Sequence, residues 1–354
     1  MKKRRILYAV LNWGLGHATR SLPIIRELVK EHDVIILSTG RSLELLRSEI
    51  SGAEFIDHED YSVRYTKKGW SLLVSLFFQI PKILIKLRQE HRFTEELVRK
   101  LNIDRIISDN RYGIYSREVP SFFITHQLRF RLPGQLRHFE ILSVVFNRMY
   151  FRRYRKIFVP DEKDGLNLSG ELSHNVPFMK SSKIEYCGIL ADISGSNEII
   201  RSDYLFIISG PEPQRTIFER KVLEQSKELE GKIIIVRGVT ENKDITEEGG
   251  RTVYSSVERE KLSSMIKGAE LIISRPGYSS VMEFAALGKK ALFVPTPGQT
   301  EQEYLARFYK ENKYFNYVEQ SEMDLLGDIK TVFSATGPEI VPNRTEKITD
   351  EILG

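Results

Sequence analysis

One cysteine in 354 residues is the first shortage. Cys187 alone can form neither an internal disulfide nor a cysteine-based metal cluster, which excludes a disulfide-stapled scaffold and fits a reducing cytosol. Long apolar runs are also scarce. The stretch 70–87 is interrupted by Gln79, Pro81, Lys82 and Lys86, short of the roughly 20 apolar residues that cross a bilayer. The amino terminus has the basic head of a signal peptide. The apolar run 6–11 behind it stops at Asn12 without a small-residue cleavage site, so it reads as a buried strand. No Asp-x-Asp pair closes a strand, and no metal or cofactor is expected.

What is present is ordinary for a soluble globular protein: 41% hydrophobic and 29% charged residues. The length predicts two domains of roughly 150 residues. The formal charge of +5 conceals an asymmetry, with 29 Lys+Arg against 16 Asp+Glu through residue 160 and 24 against 32 beyond it. The basic first half is therefore the part expected to meet an anionic surface.

Strand-like runs at 6–11, 34–38, 105–108 and 121–125 alternate with helical periodicity, as in Leu22, Ile25, Leu28 and Val29, or Leu43, Leu46 and Ile50. The second half repeats the scheme. Continuous apolar runs at 204–209, 232–236, 271–274 and 291–294 suit parallel strands covered on both faces. Helical segments at 215–229, 258–267, 278–287 and 301–311 lie near or between them. The pattern predicts an α/β protein of two doubly wound, Rossmann-like domains facing across a cleft, with ligands at the carboxyl ends of the strands. Periodicity lapses over the polar stretch 161–202, and the linker is expected near 191–201. The expected domains are 1–190, 191–335 and a tail, 336–354, that packs back on the first.

After the first strand comes Asn12-Trp13-Gly14-Leu15-Gly16-His17-Ala18-Thr19-Arg20. A dinucleotide fingerprint fails here, because Thr19 stands at the third glycine position and the second strand ends at Ser38-Thr39 without an acid for a ribose. What survives is a Gly14/Gly16 turn into a helix that presents His17, either as a general base or as a loop and capping residue. A second segment, Ile272-Ile273-Ser274-Arg275-Pro276-Gly277-Tyr278-Ser279-Ser280-Val281-Met282-Glu283, runs from buried strand through a Pro-Gly turn into a helix. Free amides and the positive dipole end at such a tip bind phosphate. Glu283, three residues after Ser280, either accepts ribose hydroxyls or completes a cap. The turn Ser209-Gly210-Pro211-Glu212-Pro213-Gln214-Arg215 offers further amides and a guanidinium. The loop 296–303 carries Gln302 and Glu303, suited to sugar hydroxyls.

The GLGH turn, the SRPGYSSVMEFAALGKKALFVP block and the PGQTEQE loop together resemble glycosyltransferases of the GT-B fold. Within them they look closest to the group that holds the bacterial N-acetylglucosaminyltransferase of peptidoglycan lipid-intermediate synthesis and the plant galactolipid synthases. The resemblance implies a nucleotide-sugar donor, a UDP-sugar by preference, in the second domain. Its pyrophosphate would lie near Gly277, Tyr278, Ser279 and Ser280, its ribose on Glu283 and its base near Val257 and Arg259. Gln302 and Glu303 would hold the sugar, where the family has Gln-Gln or Asp/Glu-Gln. His17 matches the histidine of the family's first glycine loop, Asp109 stands where an orienting acid is found, and His126-Gln127 falls on the acceptor side. The implied reaction inverts configuration. A nucleotide-sugar epimerase or hydrolase on the same fold is the alternative.

Residues 67–92 combine Trp70, Leu73, Phe77, Phe78, Ile80, Leu84 and Leu87 with Lys67, Lys68, Lys82, Lys86, Arg88 and Arg92. This is the composition of an element that docks on an anionic membrane, or of a core helix with a basic outer face. Docking would imply a lipid-linked acceptor and a peripheral position on the inner face of the plasma membrane. A nucleic-acid partner is disfavoured, since no helix-turn-helix or single-strand signature occurs.

Overall fold

The computed structural model describes residues 3–61, 69–179, 182–193, 198–239, 244–333 and 340–354. The chain divides into two compact units, Met1–Asp192 with Asn343–Gly354, and Ile193–Pro342.

The first unit opens with β1 (Arg5–Val10), α1 (Gly16–Leu28), β2 (Asp33–Ser38), α2 (Gly40–Glu49), β3 (Glu54–Asp57) and α3 (Gly69–Leu101). It continues with β4 (Arg105–Asp109), β5 (Ser121–Ile124), α4 (Glu140–Phe151), β6 (Lys156–Val159) and β7 (Ile184–Tyr186). The strands pair in the order β3-β2-β1-β4-β5-β6-β7, all parallel. Ile6 through Val10 are all buried, as expected of a parallel strand covered on both faces. On one face Leu7 and Ala9 pack with Ile35, Leu37, Leu97, Val98 and Ile106.

The second unit comprises β8 (Ser202–Ile207), α5 (Gln214–Gln225), β9 (Ile233–Val236), β10 (Ile245–Glu248), β11 (Arg251–Tyr254) and α6 (Arg259–Gly268). After these come β12 (Ala269–Ser274), α7 (Tyr278–Ala286), β13 (Lys290–Phe293), α8 (Thr300–Glu311), β14 (Asn316–Tyr317) and α9 (Leu325–Phe333). Their order is β10-β11-β9-β8-β12-β13-β14, with only the β10/β11 edge pair antiparallel. Phe206, Ile208, Ile235, Leu271, Ile273 and Leu292 form the core beneath α5 and α9.

The chain then re-enters the first unit. Asn343 Nδ2 donates to the Ala191 carbonyl at 2.8 Å, and Arg344 N to the Ile189 carbonyl at 3.3 Å. The last helix, α10 (Thr345–Leu353), lies against α1.

The expected docking element falls largely on α3. Lys67, Lys68 and the side chains of Trp70, Leu73, Phe77 and Phe78 lie outside the described residues. Of the rest, Ile80 and Ile85 are exposed, whereas Leu87 is buried with Tyr112, Phe123 and Tyr154, a correction to its place at a lipid surface. An exposed apolar face among the described residues lies on α4, where Leu142, Val145 and Met149 recur at three and four residues and are 62, 58 and 47% exposed. Phe139 and Ile141 extend it, and Arg137, Arg148 and Arg152 are exposed nearby in the chain. Among the described residues no helix is long and apolar enough to cross a membrane.

Candidate active site

In the first sheet the winding reverses between β1 and β4, which lie side by side with Val10 opposite Asp109. A ligand crevice opens at such a switch point, outside the carboxyl ends of the strands. The loop after β1 turns at Gly14, whose φ of +72° suits glycine, and enters α1 at Gly16. His17 is therefore in the first turn of α1 and points at the end of β4. Its Nδ1 lies 2.7 Å from Asp109 Oδ1. His126, just beyond β5, joins the same cluster through Arg20.

Arg20 is the residue that sequence reasoning left unassigned. Its Nε donates to Asp109 Oδ2 at 2.6 Å, Nη2 reaches Oδ1, and Nη1 lies 2.9 Å from His126 Nδ1. The available signal was its spacing: residues three apart on a helix share a face, so Arg20 had to stand beside His17. Arg20 and Asp109 are 2 and 0% exposed. Burial alone would raise the Asp109 carboxyl, but Arg20 and His17 carry it down to about 2. For His17 burial dominates and Arg20 adds to it, so the ring is pushed below its ordinary value despite the attraction of Asp109. A neutral imidazole whose Nδ1 proton points at a permanent carboxylate keeps the Nε2 lone pair for a proton. Gln127 lies beside this cluster, its Nε2 3.5 Å from His126 Nε2.

In the second sheet the reversal falls between β8 and β12; of the residues expected to bind the donor, Gly14 and Gly16 lie in the first unit at the start of α1, and the others lie in the second unit. Gly277 caps α7 without any side-chain hydrogen bond. A Cβ at Gly277 would meet only Ser280 Oγ, at 4.0 Å. The backbone there is open to a ligand, with Ser279 and Ser280 half-buried and Tyr278 buried behind them. Glu283 is buried and paired to Arg259, the first residue of α6, with Val257 half-buried just before it. Gly210, at φ +112°, passes under the loop after β13, where a Cβ would lie 3.4 Å from Thr296 Oγ1. That hydroxyl is buried and has no hydrogen-bond partner among the described residues.

Two expected ligand contacts are corrected. All five N–H groups of Arg275 are spent internally, on the carbonyls of Ser209, Gln214, Val294 and Pro295 and on Gln320 Oε1. The guanidinium lies over the Phe218 ring, and burial lowers its pKa to about 10. Arg275 shapes the loops after β8 and β13 and has no donor left for a ligand. Arg215 is likewise taken up by Glu212 and Glu219, so it offers no free positive charge. Gln302 and Glu303 brace the loop after β13: Gln302 Oε1 accepts from Thr296 N at 2.9 Å and Glu303 Oε1 from Gly298 N at 2.8 Å.

Two parallel-dominated sheets wound in this way are the GT-B architecture, and the domain content agrees. Residues 204–336 match the glycosyltransferase family 28 C-terminal domain, and residues 4–116 match glycosyl transferase family 1. An uncharacterized glycosyltransferase of Methanosarcina acetivorans is 27% identical over 334 residues, covering 88% of this chain and 82% of its own. MurG of Acinetobacter baumannii superposes with a TM-score of 0.58 at 18% identity, over 99% of both chains. The spinosyn rhamnosyltransferase SpnG, solved with thymidine diphosphate, superposes with a TM-score of 0.62 at 14% identity, over 98% of this chain and 99% of its own. This protein is a glycosyltransferase of the GT-B type.

Proposed function

We propose that the protein transfers a sugar from a nucleotide-sugar, with a UDP-sugar as donor, to a hydroxyl of a lipid-linked or membrane-associated acceptor, inverting the anomeric carbon. The observation that carries this reading is the amino end of α7, where the cap residue Gly277 has no side chain and a Cβ would meet only Ser280 Oγ at 4.0 Å. Amides and the helix dipole at such a tip stabilise the charge of a departing diphosphate. In the reaction His17 Nε2 takes the proton of the acceptor hydroxyl as its oxygen attacks the anomeric carbon. The bond from that carbon to the phosphate oxygen breaks, and the nucleoside diphosphate leaves with the electron pair. Asp109 holds the His17 ring and balances the imidazolium. The donor side needs no metal in this scheme, because amide hydrogens supply the electrostatic work.

Support for a diphosphate ligand comes from SpnG, which shares the fold and was solved with thymidine diphosphate. Glu283 and Gln302–Glu303 are assigned to ribose and sugar by resemblance. Glu283 is paired with Arg259 beside the helix tip. The apolar α4 face with its basic neighbours supports docking on an anionic membrane, and so a peripheral position at the cytoplasmic face and a lipid-linked acceptor.

The test is calorimetry of the full chain with UDP, dTDP, GDP and their sugars, followed by turnover with and without lipid acceptors. Micromolar binding of one nucleoside diphosphate that Gly277→Val removes is expected. Rapid donor consumption without acceptor would replace transfer by hydrolysis or epimerisation.

A further inference from the structure

Arg20 touches three titratable groups at once, and a guanidinium can only donate hydrogen bonds. Its Nη1 lies 2.9 Å from His126 Nδ1, so that nitrogen carries a lone pair; at the other ring nitrogen the Gln127 side-chain Nε2 stands 3.5 Å away, at the limit of hydrogen-bond distance, too far to set the tautomer. The proton of a neutral His126 is then on Nε2. His17 meets a different partner. Its Nδ1 stands 2.7 Å from Asp109 Oδ1, an acceptor-only oxygen, and within 2.9 Å of Arg20 Nη2, which also reaches that oxygen. A charge-assisted bond to the carboxylate is the stronger of the two, which puts the His17 proton on Nδ1 and leaves Nε2 bare.

We propose that Arg20 is a positioning residue that, by holding Asp109 against His17 and donating to His126, sets the two rings in opposite tautomers, one with a lone pair at Nε2 and the other with its proton there. The cluster then presents one proton acceptor and one hydrogen-bond donor at the carboxyl edge of the first sheet. This suits a hydroxyl acceptor, whose oxygen can take a hydrogen bond while its proton is withdrawn. What the bare nitrogen does in turnover rests on the reading of His17 as the base; the tautomers themselves do not. The charged and titratable groups facing His17 are Arg20, Asp109 and His126, and Ser21 Oγ adds a 3.3 Å bond to the same carboxylate.

Tautomers are read directly from side-chain nitrogen NMR of the full chain, with the two rings assigned through His17→Gln and His126→Gln. At pH 7 His17 should show protonated Nδ1 and His126 protonated Nε2. In Arg20→Met the His126 signals should move to the average of a mixture, and the His17 titration midpoint should rise with the loss of the neighbouring cation. Arg20→Lys retains a cation but not the fork, and serves if circular dichroism shows the Met variant unfolded. In it the His126 tautomer should relax while Asp109 stays ionised. Identical tautomers at the two rings, or unchanged signals in whichever variant folds, would overturn the proposal. Opposite tautomers together with full turnover in His17→Ala would instead overturn the base assignment and leave the role of Arg20 standing.

Discussion

Val10 and Asp109 are register partners at the carboxyl ends of adjacent parallel strands. The strand ending at Val10 feeds the glycine loop that launches α1, so whatever opens α1 is delivered to Asp109. His17 and Asp109 are 92 residues apart in sequence yet 2.7 Å apart at their polar atoms.

His17→Ala should lower turnover by roughly 10²–10⁴-fold while donor affinity stays nearly constant, since the imidazole acts on the acceptor proton. Steady-state rates with calorimetry of the donor decide it, and unchanged turnover rejects the assignment.

Asp109→Asn leaves Arg20 buried without its anion. Removing one partner of a buried pair costs about 3–5 kcal/mol, visible in urea or thermal unfolding. The double variant Arg20→Met/Asp109→Asn should lose less than Arg20→Met and Asp109→Asn added together, because the charges are coupled.

The pH dependence of stability follows from two shifts of the same direction that act in different pH ranges. His17 resists protonation when folded, so the unfolded chain binds more protons below about pH 6.5, and stability falls as pH drops through that range. His17→Asn should flatten that part of a melting-temperature profile. Asp109 contributes stability that is complete above its ordinary value of 3.8 and is lost as pH falls toward about 2.

Gly277→Ala should fold with little change in melting temperature, because the added Cβ meets only a hydroxyl at 4.0 Å. Nucleoside diphosphate affinity should nevertheless drop, since that methyl would occupy the approach to the helix amides. Equal affinity in the two proteins would move the diphosphate elsewhere.

Vesicle flotation tests the α4 face. Binding to anionic vesicles should weaken at least several-fold in Leu142→Asp/Val145→Asp, and binding to neutral vesicles should be weaker throughout. Equal flotation with both lipids, or with the double variant, contradicts docking through this face.

Much was legible in residues 269–294, where an apolar run, a Pro-Gly turn and a helical run follow one another in the chain. Local rules suffice there. The same rules located β1, β4, β8 and β12 to within a residue or two. They missed β3, β6, β7, the antiparallel pair β10/β11 and β14, none longer than four residues and all but β6 largely exposed or half-buried, so that little periodicity marks them. Arg275 was misjudged for a related reason: a charged residue beside a phosphate-binding turn looks like a ligand contact until the carbonyls from two other loops are seen to consume its donors.

Sequence by itself determined the alternation of strand and helix, the two glycine turns and the identity of the histidine at the first of them, because each depends on backbone conformation and spacing within one short segment. Tertiary structure alone decided that Arg20 lies between Asp109 and His126, that Glu283 pairs with Arg259, and that the exposed apolar face is on α4 rather than on Leu87. Those outcomes depend on which strand ends lie side by side and which helix faces find cover, and strand order is set by packing of the whole sheet.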